Sequence, residues 1–199
     1  MSGSKSYTWE FHLTNTQQLD AYSWCNIGIK AMIMSICDAY HYSVIFCFPG
    51  SAIPCWFPYQ CHGHSVVMNT CDPYWWGTEW LVGFALCAVL EHDGMDDTTT
   101  EKRTKLRYTI RFESNRQTHF LPDENGCFFY IEVRKRSFIH DHTFIWKYKL
   151  NFIKKVIHDC NFTIEIKATD YFLRETWKPN SQSTVKVKEC GICPLFYLG

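Results

Sequence analysis

Several signatures of catalysis and metal binding are missing from this 199-residue sequence. It has no glycine-rich phosphate loop of the Walker or Rossmann type and no G-x-S-x-G nucleophile elbow. The one C-x-x-C motif, Cys190 to Cys193, lacks the second C-x-x-C or spaced histidine pair of a structural zinc site. We therefore assign no catalytic, metal-binding or cofactor-binding residue and expect the chain not to be an enzyme.

An excess of charge of one sign is missing as well. Twenty Lys and Arg balance twenty Asp and Glu, so the net charge is zero and does not favour binding to phosphate backbones. The longest apolar run, Trp80 to Leu90, is shorter than the ~20 residues of a membrane-spanning helix, and the first ten residues lack the apolar centre of a signal peptide. We expect a protein of the cytoplasm or nucleus with neither a nucleic-acid nor a membrane partner.

Cysteine is abundant, but its pattern does not indicate a disulfide framework. Eleven cysteines cannot all pair within one chain, and several lie inside apolar runs. One stretch does concentrate possible zinc ligands, although their spacing is irregular: Cys55, Cys61, His62, His64 and Cys71. We interpret these as unrelated core and surface residues in a reducing compartment.

Alternation of apolar and polar residues is the main structural signal. In residues 106–113 one face is apolar and the other is charged, as in a half-buried antiparallel strand. Residues 81–90 are apolar on both faces, which predicts a central strand, and Ile145 is an apolar exception on an otherwise polar face. Strands are predicted at residues 44–48, 65–68, 81–90, 106–113, 127–133, 144–150, 162–167 and 185–188.

These strands predict an all-β fold. Many short strands separated by turn residues are typical of a two-sheet antiparallel sandwich of jelly-roll or immunoglobulin-like type, here with about eight to nine strands. Apolar residues at helical spacing over residues 19–39 predict one amphipathic helix before it. We divide the chain into a junction segment, residues 1–43, and a sandwich domain, residues 44–199.

Four separated segments carry a family resemblance. Residues 44–60 read VIFCFPGSAIPCWFPYQ, residues 80–90 read WLVGFALCAVL, residues 141–146 read DHTFIW, and residues 185–192 read VKVKECGI. In this order they resemble the C-terminal jelly-roll and immunoglobulin-like (C-JID) domain that follows the leucine-rich repeats of plant TIR-type NB-LRR immune receptors. The resemblance covers nearly all of the chain from about Phe11.

The resemblance implies a recognition domain that binds a pathogen effector together with the preceding leucine-rich repeats and so triggers defence signalling. It implies no cofactor, because the NAD-cleaving activity of such receptors belongs to a TIR domain that this chain lacks, and we expect the isolated domain to be a monomer. A lectin-like jelly roll that binds glycans through Trp75, Trp76 or Trp80 is the alternative. An enzymatic interpretation would use His140, Asp141 and His142, which more simply form a loop-to-strand junction.

Two groups of residues are singled out as candidate sites. The first is interpreted as structural, because proline and glycine end the strand and the aromatic residues anchor it: Phe48, Pro49, Gly50, Ser51, Ile53, Pro54, Trp56 and Phe57. Contact with a partner is expected on the long polar segments 91–105, 114–125 and 169–183. The last is preferred because it carries hot-spot residue types, although residues 171–173 equally fit an element that packs inward: Tyr171, Phe172, Arg174 and Trp177.

The cysteine pattern generates the first testable prediction. Protein isolated under reducing conditions, without added oxidant, should show all eleven cysteines as free thiols and no stoichiometric metal. Thiol titration of the denatured protein after removal of the reductant, together with elemental analysis, measures both quantities. Several disulfides, or one zinc ion per chain, would show that this interpretation of the cysteines is wrong.

Overall fold

The computed structural model describes residues 8–12, 26, 43–69, 80–92, 102–114, 117–121, 127–133, 141–155, 161–172 and 185–196. Most of these residues form strands. The exceptions are residues 50–58, the short connections beside other strands, and Asn26, which is helical. The described strands are β1 (Thr8–His12), β2 (Ser43–Pro49), β3 (Tyr59–His62), β4 (Ser65–Asn69), β5 (Trp80–His92), β6 (Lys102–Ser114), β7 (Gln117–Leu121), β8 (Cys127–Val133), β9 (His142–Lys155), β10 (Asn161–Phe172) and β11 (Val185–Phe196).

The strands form two sheets, as the sequence predicts. Sheet A has the order β1-β2-β9-β5-β11-β3, and sheet B has the order β4-β10-β6-β7. Strands β7 and β8 both pair with the same edge of β6, β8 with its first half and β7 with its second half. All pairs are antiparallel except β1 with β2, which is parallel. The predicted all-β, two-sheet antiparallel sandwich is confirmed.

All eight strands expected from alternation are present, and three short ones are added. Strand β3 reads YQCH and β7 reads QTHFL, so neither shows the clear apolar alternation that identifies a strand locally. Strand β1 lies in the predicted junction segment and pairs with the edge of sheet A. The helix predicted over residues 19–39 lies outside the described residues except for Asn26. No helix in the described ranges is long and apolar enough to cross a membrane.

The main core lies between the two sheets and is built from alternate residues of each strand. Phe84 of sheet A packs against Phe162 of sheet B with ring centroids 5.4 Å apart. Trp146 of sheet A packs against Tyr108 of sheet B at 5.6 Å. Fully buried aliphatic residues such as Leu86 surround these rings. The apolar faces predicted from period-2 alternation are therefore the faces that meet in the sandwich.

A second core lies on the opposite face of sheet A. Ala85, Cys87, Val89 and Ile145 point away from the main core, yet each is 0% exposed. The segment Gly50 to Pro58, which leads from β2 to β3, covers them. This explains why β5 is apolar on both faces and why Ile145 interrupts a polar face.

Gly83 lies at an irregularity between β5 and β9. The register shifts there, since Leu81 pairs with Lys154 but Gly83 pairs with Lys149. A Cβ atom at Gly83 would overlap the carbonyl oxygen of Tyr148 and lie 3.2 Å from the Cα atom of Lys149. Because both are backbone atoms of a paired strand, they cannot move aside as a side chain can. Glycine is thus required for β5 and β9 to approach each other here.

Gly83→Ala should therefore destabilise the domain. Forcing a methyl group into a packed site typically costs about 1–3 kcal/mol, and here it meets backbone. Urea denaturation followed by circular dichroism measures the free energy of unfolding of both proteins. An unchanged midpoint would contradict the close approach of β5 and β9 at this position.

Candidate functional site

The residues that follow β2 form a segment fastened to β9, and we call residues 50–58 the cover segment. The Gly50 amide donates to the Asp141 carbonyl oxygen at 3.1 Å. The Thr143 hydroxyl, fully buried, donates toward the carbonyl oxygens of Gly50 at 3.1 Å and Ala52 at 3.3 Å. Pro49 ends the strand, and these bonds turn the chain back over the outer face of sheet A.

Two side chains of the cover segment are driven into the second core. Ile53 is 7% exposed and Phe57 is 1% exposed. The Phe57 amide donates to the Pro54 carbonyl at 3.1 Å, and the Gln60 side-chain amide donates to the Phe57 carbonyl at 2.8 Å. Trp56 stacks on Phe57 at 4.1 Å but is only half-buried. Phe57 is therefore the deeper of the two aromatic anchors.

Gly191 shows why the first and last motifs of the sequence occur together. A Cβ atom at Gly191 would lie 3.0 Å from Ile53 Cγ2 and 3.3 Å from Phe57 Cδ1. The glycine of the closing strand thus leaves the space that these two side chains fill. Phe48, another of the singled-out residues, is as buried as Ile53 and belongs to the second core. The others are less buried: Pro49, Gly50 and Pro54 are intermediate, and Ser51 is exposed.

An ion pair lies at the same end of the sandwich as the start of the cover segment. Lys188 Nζ lies 2.7 Å from Asp141 Oδ2, and the Lys188 carbonyl accepts from the Gly63 amide at 2.6 Å. The hydrogen bond to Asp141 raises the pKa of Lys188. Because the folded state holds this proton more tightly, the pair stabilises the fold below the ordinary lysine pKa and is lost as pH rises through the folded-state pKa. Asp141 thus joins β11 to the cover segment.

The structure does not bring the alternative site residues together. His62 and His64 are exposed with Cys55 and Cys61, and Cys71 lies outside the described residues. Within the described ranges no group of three or more His, Cys, Asp or Glu side chains is placed to hold a metal. Asp141 is engaged by Lys188 and His142 is 2% exposed, while His140, Trp75 and Trp76 lie outside the described residues. Trp80 begins β5.

The polar segments expected to be contact loops are partly strands. Strand β10 continues to Phe172, so Tyr171 pairs with Arg103 and Phe172 with Lys102 of β6. Tyr171 and Phe172 therefore belong to a strand, whereas Arg174 and Trp177 lie outside the described residues. Strand β7 lies inside residues 114–125, and β5 and β6 shorten residues 91–105 from both ends.

The outer face of sheet B is exposed, whereas the outer face of sheet A is covered by the cover segment. One row across it runs Val67, Thr163, Arg111 and Phe120 in direct register. Val67 is 60% exposed and Phe120 is 41% exposed, and they are the exposed large apolar side chains among the described residues. Alternation predicted a polar face here but not this apolar pair, because Val67 follows Val66 and Phe120 lies in a strand that alternation missed.

Basic side chains flank this row on the same face. Arg107 pairs with Lys167 in register and both are exposed, while Lys105 is intermediate. Among the side chains that the structure describes on this face, two are acidic: Glu113, whose Oε1 lies 3.6 Å from Arg111 Nε, and Glu165. We call the residues Val67, Lys105, Arg107, Arg111, Phe120 and Lys167 the sheet B face.

A two-sheet sandwich with one face covered by its own chain defines a β-sandwich domain of immunoglobulin or jelly-roll class. Comparison with protein families is more specific: the C-JID domain model matches residues 48–198. This match starts near the end of β2 and includes the cover segment and every strand from β3 to β11, but not β1. The chain belongs to the C-JID family, which fits the C-terminal domain of a plant immune receptor. No curated protein matches the chain significantly.

Truncating the cover segment's deepest side chain tests its structural role. Phe57→Ala should lower the free energy of unfolding by about 3–5 kcal/mol, the usual cost of removing a buried phenylalanine ring. Trp56→Ala should cost less, because Trp56 is half-buried. Urea melts measure both, and Ser51→Ala, exposed on the same segment, is the control that should change stability by less than ~0.5 kcal/mol. Equal midpoints for Phe57→Ala and wild type would mean that the segment does not seal the second core.

Proposed function

We propose that this domain is the part of a plant TIR-NB-LRR receptor that recognises a pathogen effector protein, in concert with the preceding leucine-rich repeats, and that recognition triggers defence signalling. Membership of the C-JID family over residues 48–198 is the observation that carries this proposal. The domain would bind rather than catalyse and would act in the cytoplasm or nucleus without a cofactor, and the isolated domain would be a monomer.

The distribution of covered and exposed faces supports a particular contact surface. The outer face of sheet A is occupied by the chain itself, since Ile53 and Phe57 lie on Ala85, Cys87 and Ile145. Residues that seal a core cannot be exchanged freely for contact with a partner. In the described part of the chain, the sheet B face is therefore better suited to variation, because its residues belong to neither core.

The residue types on the sheet B face also suit protein recognition. Arginine and aromatic residues are enriched among the few side chains that dominate binding energy at interfaces. Arg111 lies between the apolar Val67 and Phe120 at the two edges of the sheet, and Arg107 supplies a second guanidinium group beside this row. Residues 173–183, which include Arg174 and Trp177, come directly after Phe172 in the sequence, and Phe172 is the last residue of β10.

Effector recognition should be lost when this surface is altered in the full receptor. One variant replaces residues 173–183 by a polar linker and keeps β10 intact to Phe172; a second carries Arg107→Glu and Lys167→Glu. The effector is first identified by screening a panel of effectors for a response to the unaltered receptor. Both variants should then abolish signalling in leaf tissue that expresses the receptor together with this effector. Lys186→Glu, a charge reversal at an exposed position of β11 in sheet A, is the control and should leave signalling unchanged.

Equal accumulation of the receptor variants in tissue, and circular dichroism of the isolated domains, separate lost recognition from misfolding. Retained signalling by both folded variants would contradict this contact surface and would place recognition on the leucine-rich repeats. Absence of a response to every effector in the panel by the unaltered receptor would count against the proposed function itself.

A further inference from the structure

Two cysteines face each other across neighbouring strands at the edge of sheet A. Cys61 of β3 pairs in direct antiparallel register with Cys190 of β11. Directly opposed residues project their side chains from the same face of a sheet. Tyr59 and Ile192, the next pair on this face, both belong to the main core. The two sulfur atoms therefore lie on the inner face of sheet A, at its open edge.

The hydrogen-bond pattern sets the spacing of this pair. Gly63 and Lys188 are opposed beyond the end of β3, and the Gly63 amide donates to the Lys188 carbonyl at 2.6 Å. Hydrogen-bonded pairs recur every second residue in an antiparallel ladder, so Cys61 and Cys190 occupy the next such pair. Their Cα atoms are then about 5.5 Å apart. Disulfides span Cα distances of about 4.4–6.8 Å, so this pair is within reach of a bond.

The two thiols differ sharply in exposure. Cys61 is exposed, whereas Cys190 is 0% exposed. Burial, and then the neighbouring Cys61, raise the pKa of Cys190 to about 12. An oxidant in solution therefore meets Cys61 first, and Cys190 becomes reactive only toward a group brought next to it.

No other pair of cysteines among the described strands is opposed in this way. Cys87 is opposite Gly191 of β11 and Ile145 of β9. Cys193 is opposite Ala85, and Cys47 is opposite Phe144 of β9. Cys55 is exposed like Cys61 but lies in the cover segment, outside any ladder. Cys55 is therefore a natural control for simple exposure.

We propose that Cys61 and Cys190 are an oxidisable pair that forms a cross-strand disulfide when hydrogen peroxide reaches Cys61. The Cys61 thiolate attacks one peroxide oxygen and breaks the O–O bond, giving a sulfenic acid on Cys61 and hydroxide, which takes up the proton released by the thiol. The Cys190 sulfur then attacks the sulfenic sulfur, and water leaves with the Cys190 proton. Overall, two thiols are oxidised to one disulfide and one peroxide is reduced to two waters.

The bond would tie an edge strand to the strand beneath the cover segment. Strand β3 follows directly after Phe57 and Pro58, and in sheet A it pairs with β11. Beyond β3 the chain crosses to sheet B, where the His64 carbonyl accepts from the Ile166 amide at 2.8 Å. Fixing Cys61 to Cys190 would hold the end of the cover segment on sheet A and resist opening of this corner. The oxidised domain should therefore unfold at higher denaturant concentration than the reduced one.

Peroxide treatment of the reduced domain tests the proposal. Millimolar hydrogen peroxide, followed by alkylation and peptide mapping under non-reducing conditions, should give one linked peptide joining Cys61 to Cys190, with two fewer free thiols. Dithiothreitol should restore both thiols and the original denaturation midpoint. Cys55→Ser should leave the link intact, whereas Cys61→Ser should abolish it together with the peroxide-induced rise in midpoint.

Cys61→Ser is the variant used because its side chain is at the surface. Cys190→Ser would bury a hydroxyl, so a failure of that variant to fold would not test the proposal. A link from Cys61 to any other cysteine, or conversion of Cys61 to sulfinic acid without loss of the Cys190 thiol, would overturn the proposal. So would an unchanged midpoint in protein that carries the link, since the edge strand would then not limit unfolding.

Discussion

Burial of the central strand β5 on both faces is the constraint on which this domain depends. In a sandwich, the facing sheet covers only one side of a strand. Phe84, Leu86 and Ala88 meet sheet B, but Ala85 and Cys87 on the other side are equally apolar and would face water. Leaving that surface exposed would lower the free energy of unfolding by roughly 25 cal/mol for each Å² left in contact with water. The cover segment removes it from water and is held in place by hydrogen bonds that the Thr143 hydroxyl donates and the Asp141 carbonyl accepts.

This arrangement gives the molecule one outer face that contributes to stability and one that lies outside both cores. The close approach of Gly191 to Ile53 and Phe57 couples the first and last motifs of the chain, so neither can change alone without a cavity or a clash. The residues of the sheet B face belong to neither core. Substitutions there should therefore leave the packing of both cores intact.

Eight of the strands could be predicted from local hydrophobic patterns. Strands with one buried face show alternation with a period of two, and β5, buried on both faces, shows a continuous apolar run. Strands β3 and β7 could not be predicted in this way, since YQCH and QTHFL lie at sheet edges, where backbone pairing with β11 and β6 rather than side-chain burial defines the strand. Alternation did not show where β10 ends: Tyr171 and Phe172 continue it, because pairing with Arg103 and Lys102 of β6 extends the ladder beyond the clear alternation. Nor did the sequence distinguish the two aromatic anchors, of which Phe57 is buried and Trp56 is half-buried.

By itself the sequence determined the all-β class, the central position of residues 81–90, and the family resemblance carried by residues 44–60 and 185–192. These properties follow from local patterns, since period-2 alternation and short motifs lie within a few neighbouring residues. The tertiary structure decided what covers Ile145, why Gly191 is a glycine, and which cysteines face each other. Those facts depend on contacts between segments more than 80 residues apart, such as Thr143 with Gly50 and Cys190 with Cys61. No local pattern encodes them, because sheet order and register set these contacts only after the chain has folded.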